Sequence, residues 1–375
     1  MSVSRRALLA SSLGAALAPS LSLAAPAAPK GKKAGPPKLS FAPLELKLRH
    51  TWTIARGSAD SKTNGLLAFE AEGVTGYGEA APNKRWGQSH ESGEAAFQRT
   101  LKACEGLSPW EHLAWLERAE RESGPDSQIV CALDLALWDW KGKKLGVPVH
   151  RLLGVSQATM PVTSFSIGID TPEVMAEKTK EAEPYPILKI KVGRDDVERN
   201  VNAVRSVTKK TIRVDANEGW SDPAVALEKL KWMKAQGVEF LEQPFPAGKD
   251  VEGMKLLRSE GVMPILADEP VLHPTDIPTI APFYDGVVLK LAKCGGITRA
   301  LEEIAICRAH GLRLMLGCMI ESSLGIAAGV AVAPLFEWVD IDGNLLVSND
   351  PWKGLVLTKG RWALPEGPGL GVSRA

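Results

Sequence analysis

The chain has no CxxC pair and only five cysteines, at positions 104, 131, 294, 307 and 318. An odd number at scattered spacings excludes a disulfide frame and a zinc ribbon, although an exported chain leaves room for one bridge. There is no excess of either charge, with 45 Lys and Arg against 44 Asp and Glu. That balance excludes an obvious nucleic-acid binder or anionic-membrane binder. No apolar run is long enough to cross a bilayer, and the run "LGIAAGVAVAPLF" from Leu324 reads as a buried helix. No Gly-rich phosphate loop follows a strand, which argues against an open dinucleotide-binding sheet.

The chain opens with "MSVSRRALLASSLGAALAPSLSLAAPAAPKGKK". Arg5 and Arg6 precede an apolar run ending near Leu23, and small residues follow. This pattern predicts an export peptide over 1–28, of the twin-arginine kind, with a linker over 29–38. The expectation is a periplasmic or otherwise exported protein with no membrane attachment after cleavage. Residues 1–38 carry six basic side chains and no acid, so their loss takes the net charge from +1 to about −5.

Two styles of patterning follow. From 39 to 155, strand-like pieces such as "LELKLRHTW" and "GLLAFEAEGVTGYGEA" precede helical ones such as "SQIVCALDLALWDWKGKKLG", which predicts an α+β unit. From 156 to 345, eight apolar runs recur at intervals of about 25 residues, mostly separated by amphipathic helical stretches. Eight evenly spaced strand–helix units predict a (β/α) barrel.

In such a barrel the chemistry sits where the strands end. Those ends carry Lys189 and Lys191, Asp215 and Asn217, Glu242, Asp268 and Glu269, Lys290, and finally Asp340 and Asp342. Any one of them reads equally well as a polar barrel rim. Asp215, Glu242 and Asp268 lie on three adjacent strands, and three converging carboxylates repel one another unless a cation joins them. An all-oxygen set with no nearby His or Cys points to Mg²⁺, with Mn²⁺ as the alternative. Lys191 and Lys290 flank the cluster from opposite sides, where a nearby cation favours the neutral amine a general base needs. In "WVDIDGNLL", Asp340 and Asp342 stand two apart in a predicted strand and so share one face.

The motifs "KIK", "VDAN", "LEQP", "ADEP" and "LKLAKCGGI", in that order, resemble the enolase superfamily in its muconate-lactonising subgroup, from about Leu39 to the C-terminus. The resemblance implies a modified (β/α)8-type, TIM-like barrel with an N-terminal α+β capping domain, and a segment 346–375 returning towards the cap. It implies Mg²⁺ on Asp215, Glu242 and Asp268, and Lys191 and Lys290 as acid/base residues working through an enediolate. Lys189 would neutralise substrate carboxylate charge. The subgroup includes muconate-type cycloisomerases, o-succinylbenzoate synthases and dipeptide epimerases. Paired carboxylates suit an ammonium group and repel an all-anionic substrate, and the Asp-x-Asp at 340–342 resembles the dipeptide epimerase motif. The expected substrate is a small dipeptide of the L-Ala-L-Glu and L-Ala-D-Glu type. Arg56 is a candidate partner for its side-chain carboxylate, and Ser166 and Cys318 are further candidate contacts. An exported solute-binding protein is the alternative from another class. The sequence leaves homo-oligomer formation open.

Overall fold

A computed structural model describes residues 35–375 except Arg194 and Asp250. The export segment and most of the linker lie outside the described residues. The capping domain begins with three antiparallel strands in spatial order, β1 (Lys38–Ile54), β2 (Gly57–Ala71) and β3 (Val74–Ala80). Helices α1 (His90–Ala103), α2 (His112–Ser123) and α3 (Ser127–Leu145) follow. A reciprocal cap between Ser89 and Ser92 starts α1. Helix α3 is apolar on most of its circumference because it is buried between other elements, and it packs on β3 at very close range. The glycines of β3 make that approach feasible, since a Cβ on Gly78 would stand 1.9 Å from the Ala132 carbonyl oxygen.

Eight parallel strands then run in sequential order around the barrel: β4 (Phe165–Ile167), β5 (Ile187–Lys191), β6 (Thr211–Asp215), β7 (Val238–Glu242), β8 (Ile265–Ala267), β9 (Gly286–Lys290), β10 (Arg313–Gly317) and β11 (Trp338–Asp340). The first and last meet through a Thr163–Val339 bridge and a Ser164 N–H donated to the Val339 carbonyl at 3.1 Å. The period of two sorts β5 cleanly. Leu188 and Ile190 join the main apolar core, and Lys189 and Lys191 take the other face. Phe240, Leu266, Val288, Met315 and Trp338 form a separate buried cluster. The helix Ser323–Val332 is buried along its whole length, as its composition predicts.

The barrel departs from eight regular units in two places. Only a short helix, Ile277–Ile280, precedes β9, and β11 is followed by a 3₁₀ turn over Gly343–Leu346. The expected strand through Trp338–Leu346 is therefore three residues long. Gly343 explains the sharp bend: a Cβ there would lie 2.3 Å from the Met319 carbonyl oxygen. Past the turn the chain reaches the cap, where the Ser348 N–H donates to the Lys47 carbonyl at 2.8 Å and Trp352 packs edge-on against Tyr77. All five cysteines are free. Among the described residues no helix is long and apolar enough to cross a membrane.

Candidate active site

A cavity of about 720 Å³ opens at the C-terminal ends of the barrel strands, beneath the cap. Lys189, Lys191, Lys290, Asp340, Asp342, Ser166, Cys318 and Arg56 all line it. Asp215, Glu242 and Asp268 are buried beside it. The backbone after two of these acids is held in the left-handed region, at Asn217 (φ 45°), Glu218 (φ 65°) and Gln243 (φ 38°). Such conformations cost energy in non-glycine residues and mark a rigidly held site.

The acids are knitted to lysines. Lys191 Nζ donates to Asp215 Oδ2 at 2.5 Å, and Lys290 Nζ donates to Asp268 Oδ2 at 2.7 Å. Lys293 Nζ binds the other Asp268 oxygen at 2.6 Å, its main-chain carbonyl at 2.5 Å and the Val288 carbonyl at 3.1 Å. Burial alone would raise both Asp carboxyls, but these ammonium groups hold Asp215 and Asp268 below the usual carboxylate range. Glu242 is different. It is fully buried, neither oxygen accepts a hydrogen bond of ordinary geometry, and its Oε2 lies 2.7 Å from Lys189 Nζ. Lys189 is shared among three acids, so burial and the Asp215 charge prevail and push the Glu242 carboxyl up to about 8.

Among the described residues no three acidic, His or Cys side chains stand close enough together to ligate one ion. The lysine ammonium groups contact the carboxylates instead. An all-oxygen donor set with one buried carboxylate lacking hydrogen bonds nevertheless fits a hard divalent cation. Burial works against the Lys290 charge, but Asp268 and Glu242 outweigh it and hold its pKa above the ordinary lysine value.

The two acids of the Asp-x-Asp are not equivalent, which corrects their reading as a matched pair. Asp340 accepts from Lys189 Nζ at 2.7 Å, Ser164 Oγ at 2.6 Å and Ser166 Oγ at 3.3 Å. Its charge is committed. Lys189, only 1% exposed, links Asp340 to Glu242 and, at 3.5 Å, to Asp215. Lys189 is thus a hub between the two groups of acids, not an open cation awaiting a carboxylate, and one lysine joins Asp340 to Glu242 and Asp215. Asp342 stands beyond the strand. It accepts the Ser166 N–H at 2.6 Å and the Ser166 hydroxyl at 3.4 Å, and burial and Asp340 push its carboxyl up to about 7.

Arg56 is also committed. It reaches from the turn between β1 and β2 to Glu269 at 2.7 Å, to the Asn217 carbonyl at 3.0 Å and to Glu218 at 3.3 Å. Arg85, from the cap segment before α1, makes a two-pronged pair with Glu218 at 2.7 and 3.0 Å. Cap and barrel are therefore pinned beside the acids. The Cys318 thiol is pushed well up by burial and nearby carboxylates, so it is an inert wall. Sequence reasoning missed Lys293, whose i, i+3 spacing from Lys290 was the available signal. It also missed Glu79, an acid in an apolar strand. Glu79 accepts from Asn64 Nδ2 at 2.8 Å, the Ser322 N–H at 3.0 Å and the Gly325 N–H at 3.2 Å, tying β3 to the start of a barrel helix.

A closed parallel barrel, a cap over its mouth, and buried carboxylates flanked by two lysines on opposite strands are the parts that metal-assisted acid/base chemistry requires. The sequence comparisons make the assignment specific. Residues 173–374 match the enolase C-terminal domain-like family, and residues 43–154 match the mandelate racemase / muconate lactonizing enzyme N-terminal domain. The chain belongs to this family. It is 37% identical to the L-Ala-D/L-Glu epimerase of Bacteroides thetaiotaomicron over 91% of this chain and 88% of the relative. It is 37% identical to a hydrophobic dipeptide epimerase of a Flavobacteria bacterium, over 89% of this chain and 97% of the relative. The crystal structure of a dipeptide epimerase from Cytophaga hutchinsonii, complexed with Mg and the dipeptide D-Ala-L-Val, superposes with a TM-score of 0.85 at 27% identity, covering 90% of this chain and 95% of that one. These relatives are isomerases, and so is the enzyme class of this chain.

Proposed function

We propose that the protein is a dipeptide epimerase that inverts the α-carbon of the second residue by two-base proton exchange. The observation that carries the reading is the pair of lysines, Lys191 on β5 and Lys290 on β9, entering one cavity from strands on opposite sides of the buried acids. One lysine, as a free amine, takes the α-proton from one face. The other, as an ammonium, returns a proton to the opposite face, so each turnover inverts the centre and leaves the total proton count unchanged. Mg²⁺ or Mn²⁺ held by Asp215, Glu242 and Asp268 would supply positive charge beside the substrate carboxylate.

Asp342 is the group suited to the substrate ammonium, with Asp340 and Ser166 fixing its position. The cavity wall on the cap side carries Lys62 and Lys84. That positive wall supports an acidic second side chain, as in L-Ala-L-Glu and L-Ala-D-Glu, in place of the role first given to Arg56. A buried carboxylate such as Asp342 disfavours the all-anionic substrates of cycloisomerases and o-succinylbenzoate synthases. A two-lobed solute-binding protein does not accord with a single capped barrel. Export is part of the proposal and rests on the sequence of residues 1–28; recovery of the full-length chain from the cytoplasm alone would refute it.

The test is incorporation of solvent deuterium at the α-carbon of Ala-Glu, with and without Mg²⁺. Metal-dependent exchange accompanied by inversion is expected. No exchange with any dipeptide overturns the epimerase reading, and full exchange in excess chelator overturns the metal assignment.

A further inference from the structure

The cap supplies a buried carboxylate to the loop that follows β10. Glu79, on β3 and buried, accepts Asn64 Nδ2 at 2.8 Å and the Ser322 N–H at 3.0 Å through Oε1. Its Oε2 accepts the Ser322 hydroxyl and, at 3.2 Å, the Gly325 N–H. Asp350, from the C-terminal segment, takes the Ser323 N–H at 2.9 Å. N–H groups at the start of the helix Ser323–Val332 are thus satisfied by acids from outside the barrel, placed where the helix dipole favours negative charge. Asn64 also donates to the Ile320 carbonyl at 2.9 Å, and Ile320 packs with Leu44 and Leu46 of β1. One carboxylate and one amide of the cap therefore hold the segment 320–325.

Asp342 rests on the same segment. Its neighbour Gly343 lies so close that a Cβ there would stand 2.3 Å from the Met319 carbonyl oxygen, 3.1 Å from the Glu321 nitrogen and 3.3 Å from Cys318 Sγ. Asn344 Nδ2 donates to Ser323 Oγ at 2.9 Å. Cys318, Met319 and Ile320 line the catalytic cavity with Asp342, whereas Glu79 and Asn64 lie outside it. We infer that Glu79, with Asn64, is a positioning residue for recognition of the substrate ammonium. It fixes the loop after β10, that loop fixes the turn 342–344, and the turn fixes the Asp342 carboxylate. The inference rests on the reading of Asp342 as the partner of that ammonium. Lys191 and Lys290 bond to Asp215 and Asp268 and not to this loop, so Glu79 acts on binding and not on proton transfer. The ammonium site is then complete only when the cap is seated.

The experiment is a double-mutant cycle in saturating Mg²⁺, read as kcat and KM for Ala-Glu, with Glu79→Gln made in the parent and in the Asp342→Asn variant. Gln has the same size, but each Glu79 oxygen accepts from two donors, so whichever way the amide turns it sets an N–H against another donor. In the parent, Glu79→Gln should raise KM at least fivefold and leave kcat within threefold. In the Asp342→Asn background it should change kcat/KM by no more than twofold, since the charge it places is gone. Asn64→Ala, which removes the tie to Ile320 and keeps Glu79, should show the same pattern and carries the cycle if Glu79→Gln does not fold. A merely structural role would instead lower kcat/KM by the same factor in both backgrounds. That result, a fall in kcat beyond threefold, or a rise in KM below fivefold overturns the positioning role. N-acetyl-Ala-Glu separates this failure from that of the reading beneath it. If Asp342→Asn loses equally on free and acetylated dipeptide, the ammonium reading falls and the positioning role with it, whereas a loss confined to the free dipeptide leaves that reading standing whatever Glu79 does.

Discussion

Changing Asp342 to Asn removes one charge at a defined point and little else. The amide oxygen of Asn can still accept the Ser166 N–H that Asp342 accepts at 2.6 Å, so the turn after β11 and the acids linked through Lys189 should be retained. What is lost is a charge-assisted hydrogen bond to a desolvated ammonium, worth about 2–4 kcal/mol. This corresponds to a fall in kcat/KM for Ala-Glu of roughly thirtyfold to nearly a thousandfold. The loss should be much smaller for N-acetyl-Ala-Glu, which lacks the ammonium and should be a poor substrate for the parent. Burial and the Asp340 charge push the Asp342 carboxyl up to about 7, so its charged form should grow in as pH rises through that value. The parent's kcat/KM for the free dipeptide should rise with pH below about 7, and the variant should lack that limb. Asp340→Asn should behave differently, because it removes the negative charge 2.7 Å from Lys189 and leaves one acceptor where Lys189 and Ser164 now use two, and so lowers both the melting temperature and metal affinity. Steady-state kinetics on both substrates, with thermal melts and metal titrations, separate the two variants. Equal proportional losses on free and acetylated dipeptide from Asp342→Asn would refute the ammonium assignment.

The remaining predictions concern charged groups in the interior. Lys191→Ala and Lys290→Ala should each abolish epimerisation while exchanging the α-proton of one epimer only; symmetric exchange of both epimers by either variant would contradict the two-base scheme. Lys293→Met removes an ammonium from one Asp268 oxygen and from the Asp268 and Val288 carbonyls, the former keeping the Val271 N–H at 3.3 Å, so it should destabilise the protein by about 3–5 kcal/mol and weaken metal binding measured by calorimetry. Unchanged unfolding and metal affinity would show that Lys293 is dispensable. Burial and Glu79 push the Glu321 carboxyl up to about 8, above its ordinary value of 4.5. The folded state therefore binds this proton more tightly than the unfolded chain, and the stability it contributes is full below about pH 4.5 and lost as pH rises to about 8. Urea unfolding at pH 5 and pH 8 should show a smaller drop for Glu321→Gln than for the parent, and equal drops would remove Glu321 as its source.

Much of this molecule is written along the chain. Barrel strands are short apolar runs ending at one mouth, so Asp215, Glu242, Asp268, Lys191 and Lys290 could be read from position alone, and the period of two put Lys189 and Lys191 on one face. Partners were not legible, because they come from residues far apart in sequence. Lys189 and Asp340 are 151 positions apart, and Arg56 and Glu269 are 213 apart, yet each pair meets at 2.7 Å. Only closure of the barrel and seating of the cap bring them together. Local patterning overran the strand at Asp342: β11 ends at Asp340, yet both acids still face one cavity and meet the same Ser166 hydroxyl, at 3.3 and 3.4 Å. The sequence by itself determined the strand–helix rhythm, the cap and which charged side chains stand at the strand ends, since these depend on local periodicity and on which residue ends each strand. Tertiary structure alone decided which charges neutralise one another and which remain to meet a substrate, because that depends on distances between strands and loops that no spacing along the chain encodes.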